Sequence, residues 1–104
     1  MTDKLEGDAR ARAIASLGDW QEAEGRDAIT RSFKFADFTT AFAFMGKVAV
    51  YADVVDHHPE WSNVYNRVSV TLISHDVDGI SKRDIAMAHF MDKAAARLGK
   101  AGKA

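Results

Sequence analysis

Two periods of hydrophobicity run through this chain, and the changes between them mark its elements. Ala9, Ala13, Ile14 and Leu17 recur at the spacing of one helix face, with Asp8 placed to cap and Gly18 to stop. Residues 20–23, opened by Trp20, and 28–35 shift to a period near two. In the second run Ile29, Phe33 and Phe35 fall on one side and Thr30, Ser32 and Lys34 on the other, with Arg31 interrupting the apolar row. The intervening Glu24-Gly25-Arg26-Asp27 has the composition of a turn, so the two runs read as a hairpin.

From Asp37, a good N-cap, the helical period returns and holds to Val55. Phe38, Ala41, Phe42, Met45, Val48, Ala49 and Ala52 share one face, while Phe44, Tyr51 and Val55 lie on another part of the circumference. A helix resting on one sheet needs a single stripe. The second stripe therefore predicts a second packing partner, another subunit, unless Phe44 and Tyr51 merely pack under a loop.

Residues 61–65 and 68–75 alternate again, joined by Asn66 and Arg67. Val68, Val70 and Leu72 form the face expected to be buried, and Ser69, Thr71, Ile73 and His75 the opposite one. Asp76-Val77-Asp78-Gly79 reads as a loop. Ser81 opens the last helix, with Asp84 completing a variant capping box and Ile80 and Ile85 placed as a hydrophobic staple. Ile85, Ala88, Met91, Ala95 and Leu98 give the inner face, and Gly99 reads as the end. The order α-β-β-α-β-β-α predicts one α+β domain over residues 1–104, a four-stranded antiparallel sheet with helices packed on one face. Residues 1–7 and 99–104 are expected to be flexible.

Composition narrows the partners. With 104 residues, 47% hydrophobic and 28% charged, the chain is an ordinary globular domain. A formal charge of −1 gives no basic footprint for nucleic acid. Without cysteine there is no disulfide, thiolate nucleophile or thiolate metal site, which suits a reducing compartment. The N-terminal residues lack the apolar core of a signal peptide, and no run is expected to approach the roughly 18 apolar residues of a membrane span. The expected location is the cytoplasm, with no membrane partner.

The chemistry centres on His57 and His58, directly before Pro59, the only proline. The residue before proline is pushed toward extended geometry, so the two rings should leave the chain corner in different directions. Histidine titrates near neutrality, which suits proton transfer. The plainer reading is a helix end with two solvated histidines. His75 at the end of a strand is the third candidate, with Asp53, Asp56, Asp76 and Asp84 as possible orienting carboxylates. Asp53 stands one turn before His57 and can hold its ring or be a solvated helix-end charge; Asp84 can serve the helix dipole instead. His89 reads as packing or surface. Zinc is the competing use of three histidines, but no HxH or HExxH spacing occurs. General acid–base chemistry without metal or organic cofactor is the favoured reading.

Asp53-x-x-x-His57-His58-Pro59-Glu60, Asn63-Val64-Tyr65-Asn66, Ser74-His75-Asp76 and Gly79-Ile80-Ser81 with Asp84 together resemble the pterin-4a-carbinolamine dehydratases. Arg31-Ser32-Phe33-x-Phe35 and Asp37-Phe38 add to the likeness, which spans roughly residues 18–98. Members often carry glutamate at the place of Asp53, threonine at Ser74 and glycine at Asp78. The resemblance implies dehydration of 4a-hydroxytetrahydrobiopterin, or a related pterin, to the quinonoid dihydropterin, in tetrahydrobiopterin recycling beside an aromatic amino-acid hydroxylase. It implies catalysis by His57, His58 and His75, with His57 and His75 as the acid–base pair and His58 mainly binding. It places Asp56, Ile73, Ser74 and Asp76 with the histidines around the pterin, and Asp53 and Asp84 as orienting groups. It also implies a homodimer or homotetramer through sheet edges and the 38–55 helix. Animal members also serve as dimerisation cofactors of a homeodomain transcription factor, so a protein-binding module is the alternative; a third is pterin binding without turnover.

Overall fold

The computed structural model describes residues 4–102, with side chains from 4 to 99. Its elements are α1 (Gly7–Ala15), β1 (Gln21–Glu22), β2 (Ile29–Lys34), α2 (Phe38–Val55), β3 (Glu60–Val64), β4 (Arg67–Leu72) and α3 (Lys82–Gly102). The α-β-β-α-β-β-α order and the antiparallel four-stranded sheet are as the periodicity predicts. Strand order is β1-β2-β4-β3, so the two hairpins lie side by side, joined where β2 pairs with β4. The register sets Ile29 opposite Leu72, Arg31 opposite Val70 and Phe33 opposite Val68. Because side chains alternate with a period of two, these residues share the face under α2 and α3. Thr30, Ser32, Ser69 and Thr71 line the other face.

The core gathers Trp20, Ile29, Phe33, Phe35, Val68, Val70 and Leu72 with Ala41, Phe44 and Val48 of α2 and Met87, Ala88 and Met91 of α3. Phe44 is its aromatic hub, with ring centroids 4.8 Å from Phe33 and 5.0 Å from Phe35. Arg31, which breaks the apolar row, is accommodated by partners. Its guanidinium lies 4.3 Å over the Phe33 ring and donates to Asp92 at 2.6 Å, and the same carboxylate oxygen accepts the Trp20 indole N–H at 2.9 Å.

The rotation of α2 corrects the sequence reading. Its buried residues are Ala41, Phe44, Val48 and Ala52. Phe44 belongs to the core, and Tyr51 stacks on Phe90 of α3 at 4.2 Å. The apolar residues left outside are Phe38, Phe42, Val50, Val54 and Val55. The second stripe exists, but it is not built by Phe44 and Tyr51. Periodicity fixes which residues share a face; it does not say which of two apolar faces meets the sheet. The same two-sidedness gives α2 18 residues with a mean hydropathy of 1.3, long and apolar enough to cross a membrane by length and composition alone. That corrects the expectation that no stretch comes near a span, although one face of α2 is buried in the core.

Other boundaries also move. β4 stops at Leu72, so His75 sits in a turn closed by the Ser74–Gly79 bridge rather than on the strand. The β3–β4 turn is Tyr65-Asn66, with Tyr65 in the left-handed region at φ 50°. The α1 cap position is Glu6 rather than Asp8, which lies in the first turn. Residues 4 and 5 are tied down: Lys4 bridges Ser81, and Leu5 N–H donates to Ile80 O at 2.7 Å. Helix α3 continues past Gly99 to Gly102, since a glycine costs a helix only about 1 kcal/mol. The expected flexibility at residues 1–3 and 103–104 lies outside the described residues.

Candidate active site

The site forms where α2 ends. Asp37 starts this helix by accepting Thr40 N–H at 2.8 Å, and the Thr40 contacts hold its carboxyl below the usual range. At the other end Asp56 takes the left-handed conformation, φ 54° and ψ 47°. Its N–H reaches Asp53 O, while His57 N–H reaches Ala52 O at 3.0 Å. This is the double bond pattern of a Schellman cap, with aspartate where glycine is usual; its short polar side chain tolerates the conformation. The cap turns the chain back, and His57 enters the protein while His58 leaves it.

His57 is buried, and its Nε2 lies 2.7 Å from Asp84 Oδ1. Asp84 is wholly buried in the first turn of α3. Its other oxygen accepts Ser81 N–H at 2.9 Å and Ser74 Oγ–H at 2.7 Å. Since the Ser74 proton goes to Asp84, the 2.6 Å contact between Ser74 and Ser81 hydroxyls must use the Ser81 proton. The helix-capping carboxylate and the histidine partner are therefore one group. The sequence presents these as competing roles for Asp84; the structure combines them. A carboxylate at this distance occupies Nε2 and favours a proton on that nitrogen.

The other histidines are exposed. His58 Nε2 is 2.9 Å from Asp53 Oδ1, so Asp53 serves His58 and not His57 as its spacing suggested. His75 Nε2 is 3.1 Å from Glu60 Oε2. Glu60 is held by both guanidinium nitrogens of Arg26, at 2.8 and 2.9 Å. Hydrogen bonding to Arg26 keeps its carboxyl below the ordinary glutamate range. Arg83 donates to Asp76 at 2.9 Å and lowers that carboxyl likewise.

A cavity of 370 Å³ joins these groups, lined by Asp56, His57, His58, Ile73, His75, Asp76 and Arg83. All three candidate histidines therefore meet at one space. Ser74, expected at the ligand, instead stands behind the wall as a bonding partner of Asp84. Arg83 and Arg26 carry no signal in the sequence, and Glu60, which directly follows the His-His-Pro corner, appears there only within the motif, with no role given. Among the described residues no group of His, Asp or Glu is arranged to hold a metal ion. A wider cleft of 760 Å³ over the open sheet face is lined by Thr30, Ser32, Ser69 and Thr71 and contains no histidine.

An α+β domain with imidazoles and carboxylates around a small cleft does not by itself define one reaction. Comparison with known proteins supplies the family. The family model described as Pterin 4 alpha carbinolamine dehydratase matches residues 3–94. A protein of Paraburkholderia xenovorans (strain LB400), named "Putative pterin-4-alpha-carbinolamine dehydratase", is 54% identical over 92 residues, covering 88% of this chain and 96% of its own. One of Burkholderia pseudomallei (strain 1710b) with the same name is 51% identical over 104 residues, covering 100% of this chain and 99% of its own. The crystal structure of a transcriptional coactivator/pterin dehydratase from Brucella melitensis superposes with a TM-score of 0.86 at 51% identity, covering 88% of this chain and 98% of that one. A pterin dehydratase-like protein described as a RuBisCO assembly factor in the alpha-carboxysome shares the fold, with a TM-score of 0.65 at 20% identity over 75% of this chain and 90% of that one. The chain belongs to the pterin-4a-carbinolamine dehydratase family.

Proposed function

We propose that the protein dehydrates a 4a-hydroxytetrahydropterin, such as 4a-hydroxytetrahydrobiopterin, to the quinonoid dihydropterin in tetrahydrobiopterin recycling. The observation that carries this reading is the single cavity lined by His57, His58 and His75, with a buried carboxylate behind the first. The reaction breaks the C4a–O bond and removes the N5 proton, forming the C4a–N5 double bond and releasing water. Hydroxide is a poor leaving group, so an imidazolium protonates the departing oxygen while a second imidazole, or water, takes the N5 proton. His57 and His75 are assigned as that pair. The buried Asp84 carboxylate is the counter-ion for a protonated His57 ring. His58, held to Asp53 at the rim, binds and orients the ligand with Asp56, Ile73 and Asp76. No metal or organic cofactor enters this scheme. The physiological setting is the cytoplasm, beside an aromatic amino-acid hydroxylase that makes the 4a-hydroxypterin.

The test is to generate the 4a-hydroxypterin in situ with such a hydroxylase and follow its decay. Wild-type protein should accelerate decay, and His57→Ala and His75→Ala should each lose roughly a hundred- to ten-thousand-fold. Decay at one rate with and without the protein would reject the enzyme.

The same proposal includes a homodimer or homotetramer. The outer strands β1 and β3 offer sheet edges, and the apolar outer side of α2 offers a helix contact, through Phe38, Phe42, Val50 and Val54. Phe42→Asp should lower the mass in light scattering; an unchanged mass removes α2 from the contact. Tyr51 is not the residue to charge, since it packs on Phe90 within the chain.

A further inference from the structure

We infer that the β1–β2 turn positions His75 for the reaction, with Arg26 and Glu60 acting as a clamp on its ring; this rests on the dehydratase reading above. Two independent contacts join this turn to the site. The first runs through side chains: Arg26 grips both oxygens of Glu60, and Glu60 Oε2 stands 3.1 Å from His75 Nε2. The second runs through the backbone of the turn that carries His75. Gly79 closes that turn by pairing with Ser74, and a Cβ placed on Gly79 would fall 2.5 Å from Asp27 Oδ2 and 2.7 Å from Lys4 Cε. The Asp27 carboxylate is itself held by Arg10 at 2.9 Å and by Lys4 at 3.9 Å, so it is a fixed surface. Adjacent residues of one turn thus reach the His75 ring, through Glu60, and the Gly79 end of the turn that carries it.

The need for such support follows from exposure. His57 is fixed by burial, but His75 hangs from a four-residue turn with its side chain 70% exposed. A ring that samples several rotamers spends little time aimed at N5 or the 4a-oxygen, and small misplacements cost large factors in rate. A bidentate Arg–carboxylate pair has fixed geometry, so the Glu60 oxygen facing His75 is held in place. A carboxylate beside Nε2 favours a proton on that nitrogen, and the ring it holds borders the cavity. Glu60 and Arg26 are thus positioning residues, and neither lines the cavity.

The experiment reads the ring itself. Side-chain ¹⁵N spectra of the wild type, Glu60→Ala, Arg26→Ala and Arg26→Lys would be compared with their kcat and KM. The wild type should show His75 with Nε2 protonated. Both alanine variants should lose that preference at His75 alone, leaving the His57 signals in place. Their kcat should fall about ten- to a hundredfold with KM little changed, and Arg26→Lys should recover part of the loss because it keeps the charge without the fork. Unchanged His75 signals in both alanine variants would overturn the clamp, and so would shifted signals with an unchanged kcat. If the wild type turns over no pterin, the dehydratase reading fails by that result, while the ring signals still decide whether Glu60 and Arg26 hold His75.

Discussion

His57 and His75 border the same cavity, yet they are held by opposite means. The His57 side chain is 8% exposed and meets a carboxylate with no exposure at all. That carboxylate also caps α3 and bonds Ser74, so both of its oxygens are bound within the folded core. The His75 side chain is 70% exposed, and its partner Glu60 is 39% exposed. Its half of the site stands on ion pairs and a turn. The difference separates two uses of charge. A buried pair cannot be changed without disturbing the fold, because any group left alone inside loses its solvation. An exposed pair contributes little stability and is kept for where it places a ring.

The strongest way to break this contrast is at Asp84. Asp84→Ala strands the His57 ring, the Ser74 hydroxyl and the Ser81 N–H, and should destabilise the protein by about 3–5 kcal/mol in urea unfolding. His58→Ala, which removes an exposed ring, should stay within about 0.5 kcal/mol. Equal losses would show that the buried half is no more integral to the fold than the rim.

A subtler effect is expected at the corner between the halves. Asp56 holds a left-handed conformation that glycine adopts freely. Asp56→Gly should therefore gain on the order of 1 kcal/mol while raising KM, because the lost carboxylate lines the cavity. A gain in stability with no change in KM would make Asp56 a purely structural cap.

The smallest effect concerns acid. The Glu60 carboxyl is lowered in the fold, chiefly by Arg26. A lowered carboxyl contributes stability that is present above its unfolded value and lost as the pH falls through its folded value. Melting temperature should thus decline below the ordinary glutamate value of about 4.3, and Glu60→Gln should make that decline slightly shallower. The slope should be unaltered at neutral pH, where Glu60 is ionised in both states.

The linear chain went far in naming this protein's parts. The change of hydrophobic period located the elements, Asp37 announced the start of α2, and the His-His-Pro corner announced its end. These are local effects: a side chain, a cap or a proline ring acts on backbone a few residues away. The residue types around the cavity were legible for the same reason, since Asp56, His57 and His58 are fixed by one turn of chain.

Partnership was not legible. Asp53 has the right helical spacing for His57, but the cap at Asp56 turns that ring inward, to a carboxylate 27 positions further along. Arg26 reaches Glu60 across 34 positions, and the rotation of α2 put Phe44 into the core against the face its periodicity favoured. The order of residues alone determined which groups this protein owns and where its backbone bends. Only the packing of helices on the sheet decided which of them meet, because those contacts join residues far apart in sequence and depend on which apolar face the core takes.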